Sequence, residues 1–415
     1  MDRIRQALSG WSRVRFETRV IAVCAVGVLL VGALGIAYAV HRHRSHGPSL
    51  SQVAGSTPTP SPSSTPSASG GLQPLSVKGS QILGGDDPVH LVGVNFDGAE
   101  YACYNDQGVF DPGAPGTEAS VQALRSWHVR FVRIPLDEDC WLGINGMPAA
   151  YSGHNYQAAV EQFVALLNEG GIYVDLDLHN AAPGTTKSTM DIPMADLDHA
   201  PAFWSSVAGA FKGNQDVMFD LYNEPTVSSW ACWLRGSTAP HAAPCADVDF
   251  GVAGMQTLVN AVRNAGSTAP ILLGGLSFAN DIQGMPAYLP KDPYHQLVAD
   301  AHVYGPEHQQ PCNTPSCFAA QYTPILTGSD GYRAMPIMVD ESGEDYENPT
   351  HDCSTLVVQP MYEWFDQHGI GYAAWVWNAG YPSDDCMRLI VNPDGTVNPN
   401  DPYAAFVHQH LAATG

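Results

Sequence analysis

The segment "VMFDLYNEP", residues 217–225, is an apolar run that ends in an amide, a carboxylate and a proline. Asn223 and Glu224 are poor strand residues, and a buried, unpaired carboxylate is costly, so neither is easily explained as structure. Adjacent side chains of a regular strand point to opposite faces, so both can face one pocket only if the strand ends before them. Pro225 favours that end because it cannot donate to a sheet ladder and keeps the preceding residue extended. The segment therefore predicts a buried strand with Glu224 at its carboxyl end.

Seven further apolar runs of similar length accompany this one. They lie at residues 90–95, 129–136, 172–180, 270–275, 297–305, 336–343 and 371–378. Amphipathic segments that end at glycine separate the runs, such as "NYQAAVEQFVALLNEGG" at 155–171. Strands that alternate with helices indicate a parallel sheet, and eight such units predict a closed (β/α)8 TIM barrel of the α/β class. An open doubly wound sheet is the alternative, but no G-x-G-x-x-G or phosphate loop follows the first run.

Polar side chains close five of the predicted strands at their carboxyl ends. They are Arg133, His179, Asn223 with Glu224, His302 with Tyr304, and Glu341. Active sites of such barrels lie at that face. Each residue alone is more readily structural, but unrelated structural uses would not all select the same end of different strands. In the seventh strand the alternation of side chains favours Glu341 as the inward carboxylate and points Asp340 the other way.

Two glutamates that face one pocket without a cofactor motif suggest glycoside hydrolysis. That reaction needs one carboxylic acid to protonate the leaving oxygen and one carboxylate to attack the anomeric carbon or to activate water. Arg133 and Tyr304 would keep Glu341 ionised as the nucleophile, and a less compensated Glu224 would stay protonated as the acid. Asn223 could hold the sugar 2-hydroxyl. The carboxyl groups should lie about 5 to 5.5 Å apart in a retaining enzyme and roughly 6.5 to 9.5 Å apart in an inverting one.

The ordered motifs also resemble a known family, glycoside hydrolase family 5, the cellulase family of retaining barrel glycosidases. The matching pieces are "GVN" at 93–95, "VRIPL" at 132–136, "DLDLHN" at 175–180, "LYNEP" at 221–225, "AHVYG" at 301–305, "VDESG" at 339–343 and "AAWVW" at 373–377. The resemblance extends from about residue 72 to residue 410.

This resemblance implies a role for each matching residue. Glu224 would be the acid/base and Glu341 the nucleophile, and Trp375 would be the aromatic floor under the reacting sugar, followed by a cis peptide bond to Val376. The polar shell would comprise Arg133, His179, Asn223, His302 and Tyr304. A neutral β-linked glucan, cut as by an endoglucanase, is the first expectation for the substrate. Another β-glucan, a mannan, a small glycoside or a glycolipid remains open, as does a carbohydrate-binding barrel that has lost catalysis.

Further aromatic residues lie in the predicted loops and at the end of the last strand. Trp230 and Trp233 follow the acid, Phe278 with Asn280 follows the fifth strand, and Trp377 closes the eighth. Aromatic faces suit the apolar faces of pyranose rings, so these aromatic side chains are candidate substrate contacts. The alternative is that they merely pack loops.

Eight cysteines lie beyond the first 50 residues, and their even number suggests four disulfides. The simplest pairing is local: Cys103 with Cys140, Cys232 with Cys245, Cys312 with Cys317, and Cys353 with Cys386. The rival is a metal site, but no C-x-x-C or close Cys/His cluster supports one. We expect neither a metal nor a cofactor.

The amino-terminal segment is typical of a membrane anchor. Residues 20–40 carry no charge and are long enough to span a hydrocarbon core, while the arginines before them favour a cytoplasmic location for residues 1–19. Residues 41–71 are rich in Ser, Thr and Pro and predict a disordered linker, so the catalytic domain should comprise residues 72–415. The prediction is a single-pass protein of the cell membrane with an extracellular domain. Cleavage after Ala39, which would secrete the domain, is the alternative.

The charge distribution limits the possible partners. Seven of the 18 basic residues and only two of the 41 acidic ones lie in the first 50 positions, which leaves 11 bases against 39 acids. Such a surface repels phosphate backbones and excludes nucleic acid as a natural partner. We expect a monomer whose partners are a polysaccharide or oligosaccharide substrate and, through residues 20–40, a membrane.

Overall fold

Eight parallel strands close into a barrel in the computed structural model, which describes residues 71–305, 312–344, 358–382 and 386–414. A small antiparallel sheet of three strands comes first: β1 (Leu75–Lys78), β2 (Gln81–Gly84) and β3 (Asp87–Pro88). The barrel strands are β4 (Val92–Asn95), β5 (Phe131–Asp137), β6 (Tyr173–Asn180), β7 (Val217–Asp220), β8 (Ile271–Gly274), β9 (Leu297–Val303), β10 (Ile337–Ser342) and β11 (Gly371–Ala374). They neighbour one another in chain order, and β11 returns to pair with β4. The predicted eight-stranded barrel is confirmed.

The helices between and after the strands cover the outside of the barrel. They are α1 (Glu118–Ser126), α2 (Glu138–Leu142), α3 (His154–Glu169), α4 (Ala200–Phe211), α5 (Trp230–Arg235), α6 (Met255–Asn264), α7 (Pro315–Thr327), α8 (Val358–His368) and α9 (Pro402–Thr414). Side-chain caps begin several of them: Asp137 accepts from the Cys140 amide and Ser229 from the Cys232 amide. These caps fix where the chain leaves β5 and where α5 starts beyond the strand end of β7.

The small amino-terminal sheet closes the end of the barrel opposite the predicted site. Leu75 and Ile82 of this sheet belong to one buried apolar cluster with Phe131, Met218 and Val298, which come from near the starts of their strands. The sequence analysis did not predict this sheet. It leaves the carboxyl ends of the strands as the accessible face.

The strand β10 departs from the regular alternation that the sequence analysis assumed. Its register shifts against β9 between Met338 and Glu341, and against β11 between Val339 and Ser342. Such an irregularity turns a side chain that would otherwise face outward. Asp340 is fully buried with its carboxylate 3.3 Å from Arg133 Nε, so the prediction that it points away from the site is wrong.

Three of the predicted disulfides are present: Cys103–Cys140, Cys232–Cys245 and Cys312–Cys317. Cys386 is also disulfide-bonded, whereas its predicted partner Cys353 lies outside the described residues. The predicted anchor and all of the linker except Gly71 lie outside them too. Within the described ranges, every helix is too short or too polar to cross a membrane.

Candidate active site

Glu224 and Glu341 face each other across one histidine at the carboxyl end of the barrel. His302 Nδ1, at the end of β9, lies 3.0 Å from Glu224 Oε1 and 3.5 Å from Glu341 Oε2. The two carboxylates and the imidazole offer atoms that all lie within 4.8 Å of one another. One oxygen of Glu224 thus lies within 4.8 Å of one oxygen of Glu341. Both glutamates keep contact with solvent, since 18% of the Glu224 side chain and 8% of the Glu341 side chain is exposed.

Both oxygens of Glu341 accept hydrogen bonds from buried donors. Tyr304 donates its hydroxyl to Oε1 at 2.5 Å, and Arg133 donates Nη1 to Oε2 at 2.9 Å. Burial, and then the charge of Glu341, raises the pKa of Tyr304 well above its usual value, so the phenol remains a donor. The two donors hold the carboxylate of Glu341 in one orientation.

Arg133 is the centre of the buried part of the site. Its guanidinium lies 2.9 Å from Asp177, 3.1 Å from Asp220 and 3.3 Å from Asp340. It also donates to the side-chain oxygens of Asn95 at 3.0 Å and Asn223 at 2.8 Å. Although burial alone would lower its pKa, the charges of these acids, with Asp177 first, raise it well above the usual value. One cation therefore fixes groups from four other barrel strands or the loops that follow them.

More acids surround Arg133 than one cation can balance. Burial, and then the charges of neighbouring carboxylates, raises the pKa of Asp175, Asp220 and Asp300 well above the usual range. Burial acts in the same direction on Asp340, but the charge of Arg133 and the hydrogen bond from His302 lower its pKa overall. Burial therefore disfavours the charged form of Asp175, Asp220 and Asp300, in contrast to that of Asp340.

The electrostatics of Glu224 differ from the sequence-based expectation. Burial would raise its pKa, but the hydrogen bond and the charge of His302 outweigh burial and lower it. Burial would lower the pKa of His302, yet the charge of Glu341 and the hydrogen bonds to Asp340 and Glu224 raise it well above its usual value. The two shifts favour a proton on the His302 imidazole over one on the Glu224 carboxyl, which is opposite to the direction expected from the sequence. The compensation missed by sequence reasoning is the contact with His302.

A flat aromatic surface lies beside the two carboxylates. The His179 ring stacks on Trp375 with ring centroids 6.0 Å apart and an angle of 15° between the planes. His179 Nδ1 lies 2.8 Å from Asp177, whose hydrogen bond and charge raise the histidine pKa despite the opposing effect of burial. The peptide bond from Trp375 to Val376 is cis, as the resemblance implied. Trp375 is positioned at the open end of the barrel with 8% of its surface exposed.

Asn223 lies next to Glu224, where the regular strand has already ended. The strand β7 stops at Asp220, which confirms that the pleat ends before the amide and the carboxylate. Asn223 accepts from Arg133 and donates to Asp191 Oδ1 at 3.3 Å. Its two amide atoms are thus fixed from opposite sides, and its orientation beside Glu224 is defined.

The loop aromatics separate into accessible and buried residues. Phe278 is 57% exposed and follows β8, where its amide donates to Pro225. Trp230 is partly buried and stacks on Tyr288, with centroids 6.4 Å apart. Trp233 and Trp377 are fully buried. Both belong to the core, so the prediction that they contact the substrate is wrong. Trp233 donates to the Gly274 carbonyl at 2.8 Å, and Trp377 packs edge-on against Trp127.

The acids around His302 form two groups with the geometry of a possible metal site. Glu224 and Glu341 with His302 form one group that could hold an ion, and Asp220, Asp300 and Asp340 with the same histidine form another. Arg133 makes ion pairs with Glu341, Asp220 and Asp340, so a positive charge already lies against both groups. We therefore assign no metal to either.

Sequence reasoning missed Asn95 and Asp220 as members of the site. Asn95 accepts from Arg133 and donates to the Asp340 carbonyl at 2.9 Å, and Asp220 pairs with Arg133. Asn95 ends the apolar run of the first barrel strand, so the rule that found Arg133 and Glu341 would also have found it. Asp220 lies inside an apolar run, where only the rarity of buried aspartate could have drawn attention to it.

A family model matches most of the domain. The model for cellulase (glycosyl hydrolase family 5) matches residues 88–380, a range that includes every residue of the site described above.

Curated relatives are similar at low identity. An endoglucanase of Microbulbifer sp. (strain ALW1) is 25% identical over 328 residues, which cover 75% of this chain and 54% of that protein. A manganese-dependent endoglucanase of Phanerodontia chrysosporium is 23% identical, and the match covers 74% of this chain and 77% of that protein. The chain therefore spans about half the length of the first of these relatives.

Solved structures share the fold. A β-glucanase from Saccharophagus degradans in complex with cellotetraose matches with a TM-score of 0.57 and 17% identity, over 86% of this chain and 98% of that one. The catalytic domain of an endoglucanase from Thermobifida fusca matches with a TM-score of 0.55 and 16% identity, over 81% and 97%. At these identities the likeness shows a common fold.

Proposed function

Because this chain belongs to glycosyl hydrolase family 5, we propose that it hydrolyses a β-linked glucan with retention of configuration, using Glu341 as nucleophile and Glu224 as acid/base. The observation that carries the proposal is the short spacing of the two carboxylates around His302, with atoms of all three groups within 4.8 Å. A retaining pair works at this separation, whereas an inverting pair needs room for a water between the carboxylate and the sugar.

The first step forms a covalent intermediate. A Glu341 oxygen attacks the anomeric carbon while Glu224 gives its proton to the glycosidic oxygen, so that the carbon–oxygen bond breaks and the leaving sugar departs as an alcohol. Arg133 and Tyr304 hold Glu341 in one orientation through its two oxygens. Asn223, held by Arg133 and Asp191 beside Glu224, would bind the 2-hydroxyl of the sugar.

The second step reverses the roles. Glu224, now a carboxylate, takes a proton from water while the water oxygen attacks the anomeric carbon and releases Glu341. Each step inverts the anomeric carbon, so the product keeps the configuration of the substrate.

His302 supplies the proton that Glu224 delivers. His302 Nδ1 lies 3.0 Å from Glu224 Oε1, within reach of a direct proton transfer, and the pKa of the imidazole is raised while that of the carboxyl is lowered. A sugar that displaces water lowers the local dielectric, which penalises the charged pair relative to neutral imidazole and carboxylic acid. Substrate binding would therefore move the proton to Glu224 when it is needed.

A neutral glucan is the proposed substrate class. The relatives are named endoglucanases, and one structural neighbour holds cellotetraose. The acidic surface disfavours anionic polymers, and Trp375 offers an aromatic face for a pyranose ring. Mannan, another β-glucan, a small glycoside and a glycolipid are the alternatives within the same chemistry.

The deciding experiment is hydrolysis of a panel of β-glucans, mannans and aryl β-glycosides by the full chain. Beside it, Glu341→Gly and Glu224→Ala are assayed on an activated aryl glycoside with added azide. Azide attacks in place of the missing nucleophile in the first variant and gives an α-glycosyl azide. In the second it attacks the covalent intermediate and gives a β-glycosyl azide.

Two controls complete this test. Glu161→Gln, an exposed change on α3, should hydrolyse at the wild-type rate. Glu341→Gln should lose roughly 10⁴-fold or more in kcat. Binding of an oligosaccharide by the wild type and both glutamine variants, with no turnover on any substrate, would show a carbohydrate-binding barrel and contradict the proposal.

We also propose that the domain is displayed outside the cell from a membrane anchor at residues 20–40. The sequence supports this with the uncharged stretch and the arginines before it, and the structure adds the disulfides of the domain, which persist in oxidising compartments.

A further inference from the structure

A second group of ionisable side chains lies outside the catalytic pocket, where the loop after β6 meets two helices. Its members are Glu138, the first residue of α2; Asp196 in the loop; and His199, the N-cap of α4. Their potential ligand atoms lie within 4.8 Å of one another. Both carboxylates are fully buried, whereas 21% of the His199 side chain is exposed. The group is thus built into the fold and can be reached from solvent at one side.

Oxygen acceptors outnumber donors at this place. His199 Nδ1 lies 3.2 Å from the Ala182 carbonyl, 3.7 Å from Glu138 Oε1 and 3.9 Å from Asp196 Oδ1. The Ala182 and His199 amides donate to those same two carboxylate oxygens. The remaining oxygens, Glu138 Oε2 and Asp196 Oδ2, are buried and accept no hydrogen bond from an N–H or hydroxyl group. An unpaired buried carboxylate oxygen is costly, so the pocket is electrostatically incomplete.

The charges of these three side chains also favour a bound cation. The His199 imidazole lies 3.7 Å from one oxygen of Glu138 and 3.9 Å from one oxygen of Asp196, so a single ring faces two buried carboxyl groups. Adjacent buried carboxylates need either a proton or a cation between them, and the imidazolium provides only part of that charge.

We propose that Glu138, Asp196 and His199 bind one divalent cation of the Mn²⁺ or Zn²⁺ type, with the Ala182 carbonyl as a further oxygen ligand. Carboxylate and carbonyl oxygens suit Mn²⁺, and an imidazole favours Mn²⁺ or Zn²⁺ over Mg²⁺ and Ca²⁺. The cation requires the carboxylate form of both acids and the neutral form of the imidazole. Binding therefore releases protons and weakens as the pH falls.

The proposed ion would stabilise one wall of the catalytic pocket. It joins α2 and the start of α4 to the loop of residues 181–199. The same loop carries Asp191, which accepts from Asn223, and Ile192, which exchanges hydrogen bonds with the Tyr222 hydroxyl. The ion would hold this loop against the strand end that carries Asn223 and Glu224, without touching the reacting atoms.

Metal content and thermal stability test the site independently of catalysis. The full chain is stripped with EDTA, then dialysed against Mn²⁺, Zn²⁺ or Ca²⁺ and analysed for bound metal and Tm. We expect one Mn²⁺ or Zn²⁺ per chain, a Tm higher by about 3 °C or more at saturating ion, and little response to Ca²⁺. The apparent Kd should rise at least tenfold between pH 8 and pH 6, because the ion must displace protons.

Variants locate the ion. Glu138→Gln and His199→Gln should each weaken binding at least tenfold, and the modulation of the Mn²⁺ spin echo by an imidazole nitrogen should vanish in His199→Gln. Glu161→Gln removes an exposed carboxylate of α3 and should bind as the wild type does. Glu341→Gln should also retain the ion, because the catalytic pocket is not the site.

Two results overturn the proposal. One is less than a tenth of an equivalent of any of the three ions at millimolar concentration, in which case the group is a proton-sharing network. The other is undiminished binding in His199→Gln, which keeps the test decisive even if Glu138→Gln fails to fold.

Discussion

Arg133 is the residue on which the geometry of the catalytic pocket depends. It donates to Glu341 and to Asn223, so one planar group fixes the proposed nucleophile and the amide next to the proposed acid. The guanidinium can do this because its donors form a rigid fork, which a lysine could not reproduce. Its charge is held in the interior by Asp177, Asp220 and Asp340. The buried acids beneath the pocket are therefore part of the site, although they do not reach its surface.

The role of His302 in holding the catalytic proton can be tested through the pH dependence of the reaction. In the wild type the proton of the Glu224–His302 pair is held by an imidazole whose pKa is raised above 6.5, so the acid form persists well above that pH. In His302→Gln the proton must stay on Glu224 alone, whose carboxyl loses it at lower pH. The alkaline limb of the kcat/KM profile should move to lower pH by about one unit or more.

A full pH–rate profile on an aryl glycoside measures this shift. His154→Gln, at the exposed first residue of α3, is the matched control and should leave the profile unchanged. An alkaline limb at the same pH in His302→Gln would mean that the histidine does not hold the catalytic proton.

At the scale of elements, the positions of the strands could be predicted from the sequence better than their local irregularities. The eight apolar runs and their polar ends were readable because burial and alternation leave a local pattern. The irregularity in β10 left no such signal, and it is what turns Asp340 towards Arg133. The buried Trp233 of α5 and Trp377 after β11 were misjudged for a related reason: the sequence does not show whether an aromatic residue beyond a strand faces the pocket or the core. Glu138, Asp196 and His199 are far apart in sequence, so only the fold brings them together.

A buried ion pair provides a stability test at this scale. Asp292, before β9, accepts from Arg263 of α6 at 2.8 and 3.0 Å, and both side chains are almost fully buried. Asp292→Ala would leave the Arg263 guanidinium buried and unpaired, so we expect a loss of about 3–5 kcal/mol in the free energy of unfolding at neutral pH. Asp249→Ala, at an exposed loop position, should stay within about 0.5 kcal/mol of the wild type. Chemical denaturation followed by tryptophan fluorescence measures both.

The pH dependence gives this prediction a second readout. Burial alone would raise the pKa of Asp292, but the hydrogen bond from Arg263 and those from backbone amides lower it overall. A carboxylate with a lowered folded pKa contributes stability above its unfolded value, about 3.9, and loses it as the pH falls through the folded pKa. The difference between wild type and Asp292→Ala should therefore be complete above pH 5 and shrink below about 3.9. A difference that is constant down to pH 2 would mean that lost packing, and not the ion pair, causes the effect.

At the scale of the whole molecule, the chain combines an acidic enzyme domain with a basic, apolar amino terminus. The 39 acidic residues beyond position 50 disfavour binding to anionic surfaces, whereas residues 1–44 carry seven arginines. The domain therefore has no electrostatic reason of its own to approach an anionic membrane. Attachment would depend on the apolar segment alone.

That dependence can be tested by changing the middle of the segment. Leu29→Arg together with Leu30→Arg would cost about 2.5–3.5 kcal/mol of insertion free energy per residue, which should abolish stable anchoring. We expect the wild-type full chain to sediment with membranes and to resist carbonate extraction, and the variant to lose both properties. Leu29→Ala with Leu30→Ala is the control, because alanine keeps the segment uncharged and apolar. A wild-type protein found in the medium with Val40 as its first residue would show cleavage after Ala39, and the anchor would then be a signal peptide.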